Sequence, residues 1–379
     1  MSPILISNGV EKTLPYTVSK DFAVHARENG KVVEINDKTN LMVVAYDDGS
    51  NEAINLAPVI VKNSGGGFYL SNVMKSKYKV GQKFKKMDIL AANETFFSDH
   101  YDGTKFNIGT LCKVAIMSNF GTYEDANLMT SKLSKRMATE MIMKKHIILG
   151  QNATISKIMK TGDPVRVGDD LIVFEQSNSE EAVNKLLKNI GEDLKEDIKQ
   201  FGKNSLKSKY DGEIAEVRIY STFDLDELSP SLQKVVGEYW KNINAKKQVI
   251  KKYKISNPDD MGATFHEMAG PVKPDEKDRV AGYKVEEGGV IIEFFIKFRD
   301  EVGVGDKICQ YDALKGTIAA LIPPGDEPYT IDRPDEEISS IIPASSILAR
   351  LTPGIMVMLW GQKLIVELKR QLKEIYEAN

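Results

Sequence analysis

Two lysines eight residues apart are the first residues whose type and spacing suggest chemistry: Lys307 in Gly305-Asp306-Lys307, and Lys315 in Lys315-Gly316. Glycines at both ends read as a connection between strands. Two cations on one connection can converge on a polyphosphate or an RNA backbone; the plain alternative is a pair of solvated lysines at a hairpin. A second candidate is Glu124-Asp125, inside Phe120-Gly121-Thr122-Tyr123-Glu124-Asp125-Ala126. Adjacent carboxylates suit the neighbourhood of a magnesium-bound phosphate, and equally the dipole-favoured start of a helix. The third is Arg350, after Pro343-Ala344-Ser345-Ser346-Ile347-Leu348-Ala349 and before Gly354. Its planar fork suits bidentate phosphate binding, or simply holds a loop. The chain has only nine arginines, so one inside a motif stands out. Asp326-Glu327-Pro328-Tyr329 reads as a surface turn.

Other chemistries are poorly served. The lysines do not form G-x-x-x-x-G-K-[ST], His266-Glu267 lacks the second histidine of H-E-x-x-H, and no C-x-x-C occurs. Cys112 and Cys309 are the only cysteines, which fits a reducing compartment. With 54 acids against 51 bases the net charge is −3, so any nucleic-acid contact must come from local patches. Hydrophobic residues at 42% and charged residues at 28% are ordinary for a globular chain. The apolar runs fall short of the ~20 residues that a membrane span needs. Met1-Ser2-Pro3-Ile4-Leu5-Ile6 has no basic region or cleavage pattern, so no signal peptide is expected.

The elements that must position these residues are mostly short strands. Lys31 to Ile35 and Leu41 to Tyr46, joined by Asn36-Asp37-Lys38-Thr39-Asn40, read as a hairpin. One phrase recurs at irregular spacing, around Val80-Gly81-Gln82, Val167-Gly168-Asp169 and Val304-Gly305-Asp306. It predicts one kind of tight turn reused in a barrel or sandwich. Helices are expected from Ser177 to Phe201, from Ser229-Pro230 through Ile243, and over about Lys363 to Tyr376. Ile255 to Asp278 reads as loop. Residues 140–285 therefore look like an excursion, carrying two helices, between two strand-rich blocks.

The order and spacing of these motifs resemble the catalytic-core half of the β subunit of multisubunit DNA-directed RNA polymerases. The family's G-D-K and K-G-V appear as Gly305-Asp306-Lys307 and Lys315-Gly316-Thr317 with the same gap. Its E-D-M-P-Y resembles Gly325-Asp326-Glu327-Pro328-Tyr329, and its P-S-R-M-N-x-G resembles Leu348-Ala349-Arg350-Leu351-Thr352-Pro353-Gly354. Its N-x-F-E-D-[AS] is similar to Gly121-Thr122-Tyr123-Glu124-Asp125-Ala126, and its early G-x-V hairpin to Gly30-Lys31-Val32-Val33. The match is collinear from about residue 20 to 365. One departure lies between the lysines, where the family's G-R-H-G-N is replaced by Gln310-Tyr311-Asp312-Ala313-Leu314.

The resemblance implies a mainly β fold with helical insertions: a double-psi β-barrel interrupted by a flap or wall excursion, plus a C-terminal helix. It divides the chain into a connecting segment (1–19), the first part of the barrel (20–140), the flap-like excursion (141–285), the second part of the barrel (286–360) and a terminal helix (361–379). It further implies that Lys307 and Lys315 contact the RNA 3′ end and the incoming nucleotide, that Arg350 holds the triphosphate, and that Glu124 and Asp125 approach a second magnesium through water. The catalytic Mg2+ would sit on a β′-like partner, so the chain would be a non-autonomous nucleotidyltransferase subunit. Implied partners are an N-terminal β-like subunit, β′-like subunits, a promoter-specificity factor at the flap, DNA template, RNA transcript and NTPs, with no membrane. The family's subunit extends beyond both ends of this chain, which points to a split subunit of the kind found in large-genome bacteriophages. The expected place is the cytoplasm of the infected host, with virion packaging open. A non-catalytic scaffold that keeps the barrel is the alternative, motivated by the altered loop between the lysines.

Overall fold

In the computed structural model the described residues are 5–57, 59–62, 69–175, 203–255, 279–280, 283–284, 289–310, 314–349 and 353–378. The chain is mainly β, with 42% strand, a few helices and a C-terminal helix. It divides into two compact units, one of residues 19–93 with 140–299, the other of residues 1–18, 94–139 and 300–379. Among the described residues no sheet closes into a barrel, and no helix is long and apolar enough to cross a membrane.

One four-residue turn recurs through the structure. Its fourth residue donates its N–H to the first carbonyl, and its fourth side chain accepts from the first N–H. The third residue has positive φ and exchanges two backbone bonds, through itself and the fourth residue, with one residue in a neighbouring strand or immediately after it. The turns are Lys79–Gln82 on Val32, Lys85–Asp88 on Ala26, Lys160–Asp163 on Ile214, Arg166–Asp169 on Ser208 and Gly303–Asp306 on Ile318. The three expected turns are among them. The two additional turns lie six residues from an expected one. Four of the third positions are glycine, and the fifth is Met87 at φ 70°.

These turns reveal that the larger unit contains the same module twice. In the first copy, Ala23–His25 pairs Ile89–Asn93 with Val24 opposite Ala91 and Leu90 bulged out of register. In the second, Lys203–Lys207 pairs Asp170–Glu175 with Leu206 opposite Ile172 and Leu171 bulged. The long hairpins agree too. Gly30–Asn36 skips Val33 against Leu41–Tyr46, and Gly212–Ser221 skips Ala215 against Val290–Asp300. A Cβ on Gly30 or Gly212 would collide with the carbonyl oxygen of Ala45 or Lys297, which requires glycine at both places. The copies are permuted: the turn-bearing arm follows the hairpin strands in the first and precedes them in the second. Each has its own core, Val24, Val32, Met42, Val44 and Leu90 in one, Leu171, Ile214, Phe294 and Ile296 in the other.

The second copy carries the helix Pro230–Lys252 between its long strands. It begins at the expected residues: the Ser229 hydroxyl accepts from the Leu232 N–H, and Pro230 occupies the first turn. Leu232 and Val236 are fully buried against the sheet. The expected helix at 177–201 and most of the expected loop at 255–278 lie outside the described residues.

The smaller unit is built on a five-stranded mixed sheet. Its order is Val114–Ile116, Ser340–Ile342, Ala126–Thr130, Leu314–Ile322, Lys307–Gln310. The first pair and the third pair are parallel; the others are antiparallel. The terminal helix spans Pro353–Ala378, ten residues longer at its start than expected. Pro353 suits a first helical position, and Ile355, Met356 and Leu359 pack on Leu314, Ile342 and Ile347.

Candidate functional site

Lys307–Gln310 and Leu314–Ile322 form an antiparallel hairpin in the register Lys307↔Thr317, Ile308↔Gly316, Cys309↔Lys315. Alternation puts Lys307, Cys309, Lys315 and Thr317 on one face. Leu314, Gly316 and Ile318 lie on the other face, and all three are buried. Lys307 and Lys315 are exposed diagonal neighbours, a relation that sets their attachment points roughly 7–8 Å apart. Two like charges held this way repel one another weakly, and an anion spanning both relieves the repulsion.

Asp306 contributes to this hairpin as a turn former, since its carboxylate accepts from the Gly303 N–H at 2.8 Å. The same position in the other turns is Gln82, Asp88, Asp163 and Asp169. The aspartate of Gly-Asp-Lys is therefore explained by backbone geometry, and the lysine that follows it is not.

The acid pair is fastened to the lysine hairpin through the backbone. The Thr317 N–H donates to the Asp125 carbonyl at 2.9 Å, and Ala126 and Asn127 stand in parallel register with Thr317 and Ile318. A Cβ on Gly316 would come 2.7 Å from the Asp125 carbonyl oxygen and would collide with the Asn127 amide. Glycine after Lys315 is what lets the acid turn lie this close. Glu124 has φ 51°, and the Ala126 N–H closes the turn on the Tyr123 carbonyl at 2.9 Å. Upstream, the Thr122 hydroxyl accepts from the Asn119 N–H at 2.8 Å, and the Thr122 N–H donates back to the Asn119 carbonyl at 3.0 Å. Both carboxylate residues are exposed. The acids do not begin a helix. Ala126–Thr130 is a strand, and the next helix, Ser131–Arg136, starts after Thr130, whose hydroxyl accepts from the Leu133 N–H at 3.2 Å.

A third segment reaches the same turn. The Ser346 hydroxyl donates to the Glu124 carbonyl from the short helix Ala344–Ala349. Arg350 follows that helix directly and lies outside the described residues. The structure thus brings together Lys307, Lys315, Glu124, Asp125 and the helix that leads to Arg350. The turn expected at Asp326–Tyr329 falls earlier, over Pro323–Asp326, where the Asp326 N–H donates to the Pro323 carbonyl at 3.2 Å; Tyr329 already belongs to the strand Tyr329–Thr330.

Sequence reasoning missed two residues that hold the site. Asn127 is a buried polar residue in the apolar run Leu128-Met129, and that break in pattern was the available signal. Ser346 had none, because its partner is a backbone carbonyl far away in sequence.

Among the described residues no three His, Cys, Asp or Glu side chains converge on one point. Magnesium needs near-octahedral oxygen ligation, and Glu124 with Asp125 supplies only two carboxylates. The described residues do not make a magnesium site by themselves. What the arrangement offers is two exposed lysines on one face of a hairpin whose backbone is bonded to a turn bearing two exposed carboxylates. No protein-family model matches the chain, and no curated protein matches it.

Proposed function

We propose that the chain is a β-like subunit of a multisubunit DNA-dependent RNA polymerase and supplies the cationic side of its nucleotidyl-transfer site. The observation that carries this reading is the fastening of the exposed Lys307–Lys315 pair to the Glu124-Asp125 turn through Gly316 and Thr317. The collinear motifs supply the family. The parallel pairing of strands drawn from both strand-rich blocks is the kind of interlocking that a double-psi barrel requires.

In this reading Lys307 and Lys315 bind the RNA 3′ end and the phosphates of the incoming nucleotide. Nucleotidyl transfer builds negative charge at the α-phosphate and on the departing pyrophosphate. Cations fixed in advance stabilise that charge better than water, which must reorient. Each such contact contributes about 2–4 kcal/mol to lowering the barrier. Arg350 holds the triphosphate. Glu124 and Asp125 would face the metal side of the site, where magnesium held by a β′-like partner would supply Lewis-acid chemistry. A second β-like chain, a promoter-specificity factor, template and transcript complete the assembly in the infected cell.

The test is to isolate the tagged chain from infected cells and identify what accompanies it. The reading expects a partner bearing D-F-D-G-D and template-directed RNA synthesis by the eluate. A complex that binds DNA, lacks such a partner and makes no RNA would move the chain to a scaffold role.

A further inference from the structure

The larger unit contains a groove that the proposed site does not use. Its volume is about 410 Å3, and it lies between the helix Pro230–Lys252 and the strand Thr154–Ile158. That volume falls within the usual range of ligand sites. Ile155, Ile158, Val217, Ile219 and Val235 give it apolar walls. Lys157, Lys160 and Lys234 stand at its rim, all exposed, against one acid, Glu238.

Thr154–Ile158 is the edge of a three-stranded sheet. One side pairs with Asp170–Glu175, and among the described residues no strand pairs with the other. Helix side chains satisfy part of that free edge, since the Ile155 N–H donates to the Ser231 hydroxyl at 2.9 Å. An edge that offers backbone donors and acceptors beside a groove is the setting for strand addition by an extended peptide.

One wall of the groove is an addition that the first module lacks. The first module joins its long strands through residues 37–40, a short turn. The second places the whole helix in that connection, and the helix forms one wall of the groove.

We propose that this groove binds an extended acidic segment of another protein, laid along the free edge of Thr154–Ile158. Backbone groups of the edge hold the segment extended. Lys157, Lys160 and Lys234 pair with its carboxylates, and the apolar walls take its alternate side chains. A nucleic-acid strand fits less well. Tyr239 is the one aromatic in the lining, so stacking is limited, and Glu238 opposes a phosphate backbone.

The test uses the full chain and a fluorescein-labelled twelve-residue peptide of alternating glutamate and valine, read by fluorescence anisotropy. Saturable binding is expected. It should weaken at least tenfold in the Lys157→Glu/Lys160→Glu/Lys234→Glu variant, whose exposed changes leave the core intact. Asn242→Trp, which fills the groove from the helix side, should weaken it without changing the charge. A peptide of the same charge with proline in place of alternate valines should also bind at least tenfold more weakly, because it cannot pair with the edge. Absence of binding at millimolar peptide, or equal binding by either variant or by the proline peptide, overturns the proposal. Tighter binding of a twelve-nucleotide oligothymidine that displaces the peptide overturns it as well.

Discussion

The turns at Lys160–Asp163 and Gly303–Asp306 make the same backbone hydrogen bonds, yet the strands around them do different things. Each is followed by a strand paired to a glycine that a neighbouring backbone crowds, Gly212 in one and Gly316 in the other. In the larger unit the crowding neighbour is the antiparallel strand Val290–Asp300, and the arrangement buries Ile214 and Ile296 in a core. In the smaller unit the neighbour is the parallel strand Ala126–Thr130, which arrives carrying Glu124 and Asp125 at its start. The position after the turn is Pro164 in one and Lys307 in the other; the position before the glycine is Asp211 in one and Lys315 in the other. The geometry is generic. The chemistry comes from two solvent-facing positions and from which strand lies alongside.

The sharpest break in this comparison is the position after the turn. Lys307 and Lys83 occupy it in the smaller unit and in the first module. Lys307→Ala should slow RNA synthesis by the assembled complex about a hundredfold or more, in line with the loss of one transition-state contact. Lys83→Ala should leave it unchanged. Equal effects of the two would mean that the smaller unit has no special chemistry.

Next in size is the crowded glycine. Gly316→Ala and Gly30→Ala should each destabilise the chain by about 1–3 kcal/mol, measured by urea denaturation, because a neighbouring backbone must move aside. Only Gly316→Ala should also loosen the acid turn, read as faster hydrogen exchange at the Thr317 amide.

The smallest effects concern the third turn position. Gly168→Ala should cost about 1 kcal/mol, since alanine resists positive φ. Met87→Gly, at the matching position of the first module, should relieve strain and gain roughly 0.5–1 kcal/mol. Opposite signs in thermal unfolding would support the equivalence of the two turns, and the same sign would refute it.

Much of this was legible in the sequence, and the rest was hidden for definite reasons. Ser229-Pro230 with Leu232, Val235 and Val236 announced a helix because capping and periodicity agree there. The terminal helix was read too short, because Gly354 and Gly361 flank a run of large apolar residues with no polar side to mark a helical face. The duplicated module was invisible because the copies are permuted and share hydrogen bonds rather than side chains; Met87 in place of glycine removed one of the few visible marks. At the candidate site the lysines and acids were legible as types, and the glycines marked their turns. Their convergence was not legible from spacing, because it depends on a parallel pairing of Thr317 with a strand far away in sequence.

The most direct test is the rate of single-nucleotide addition on a preassembled RNA–DNA scaffold by the complex isolated through this chain, unaltered and with Lys315→Ala. The unaltered complex should extend the RNA, and the variant should assemble normally but extend it at least about a hundredfold more slowly. An unchanged rate in the variant, or an intact complex that adds no nucleotide at all, would contradict the proposed function.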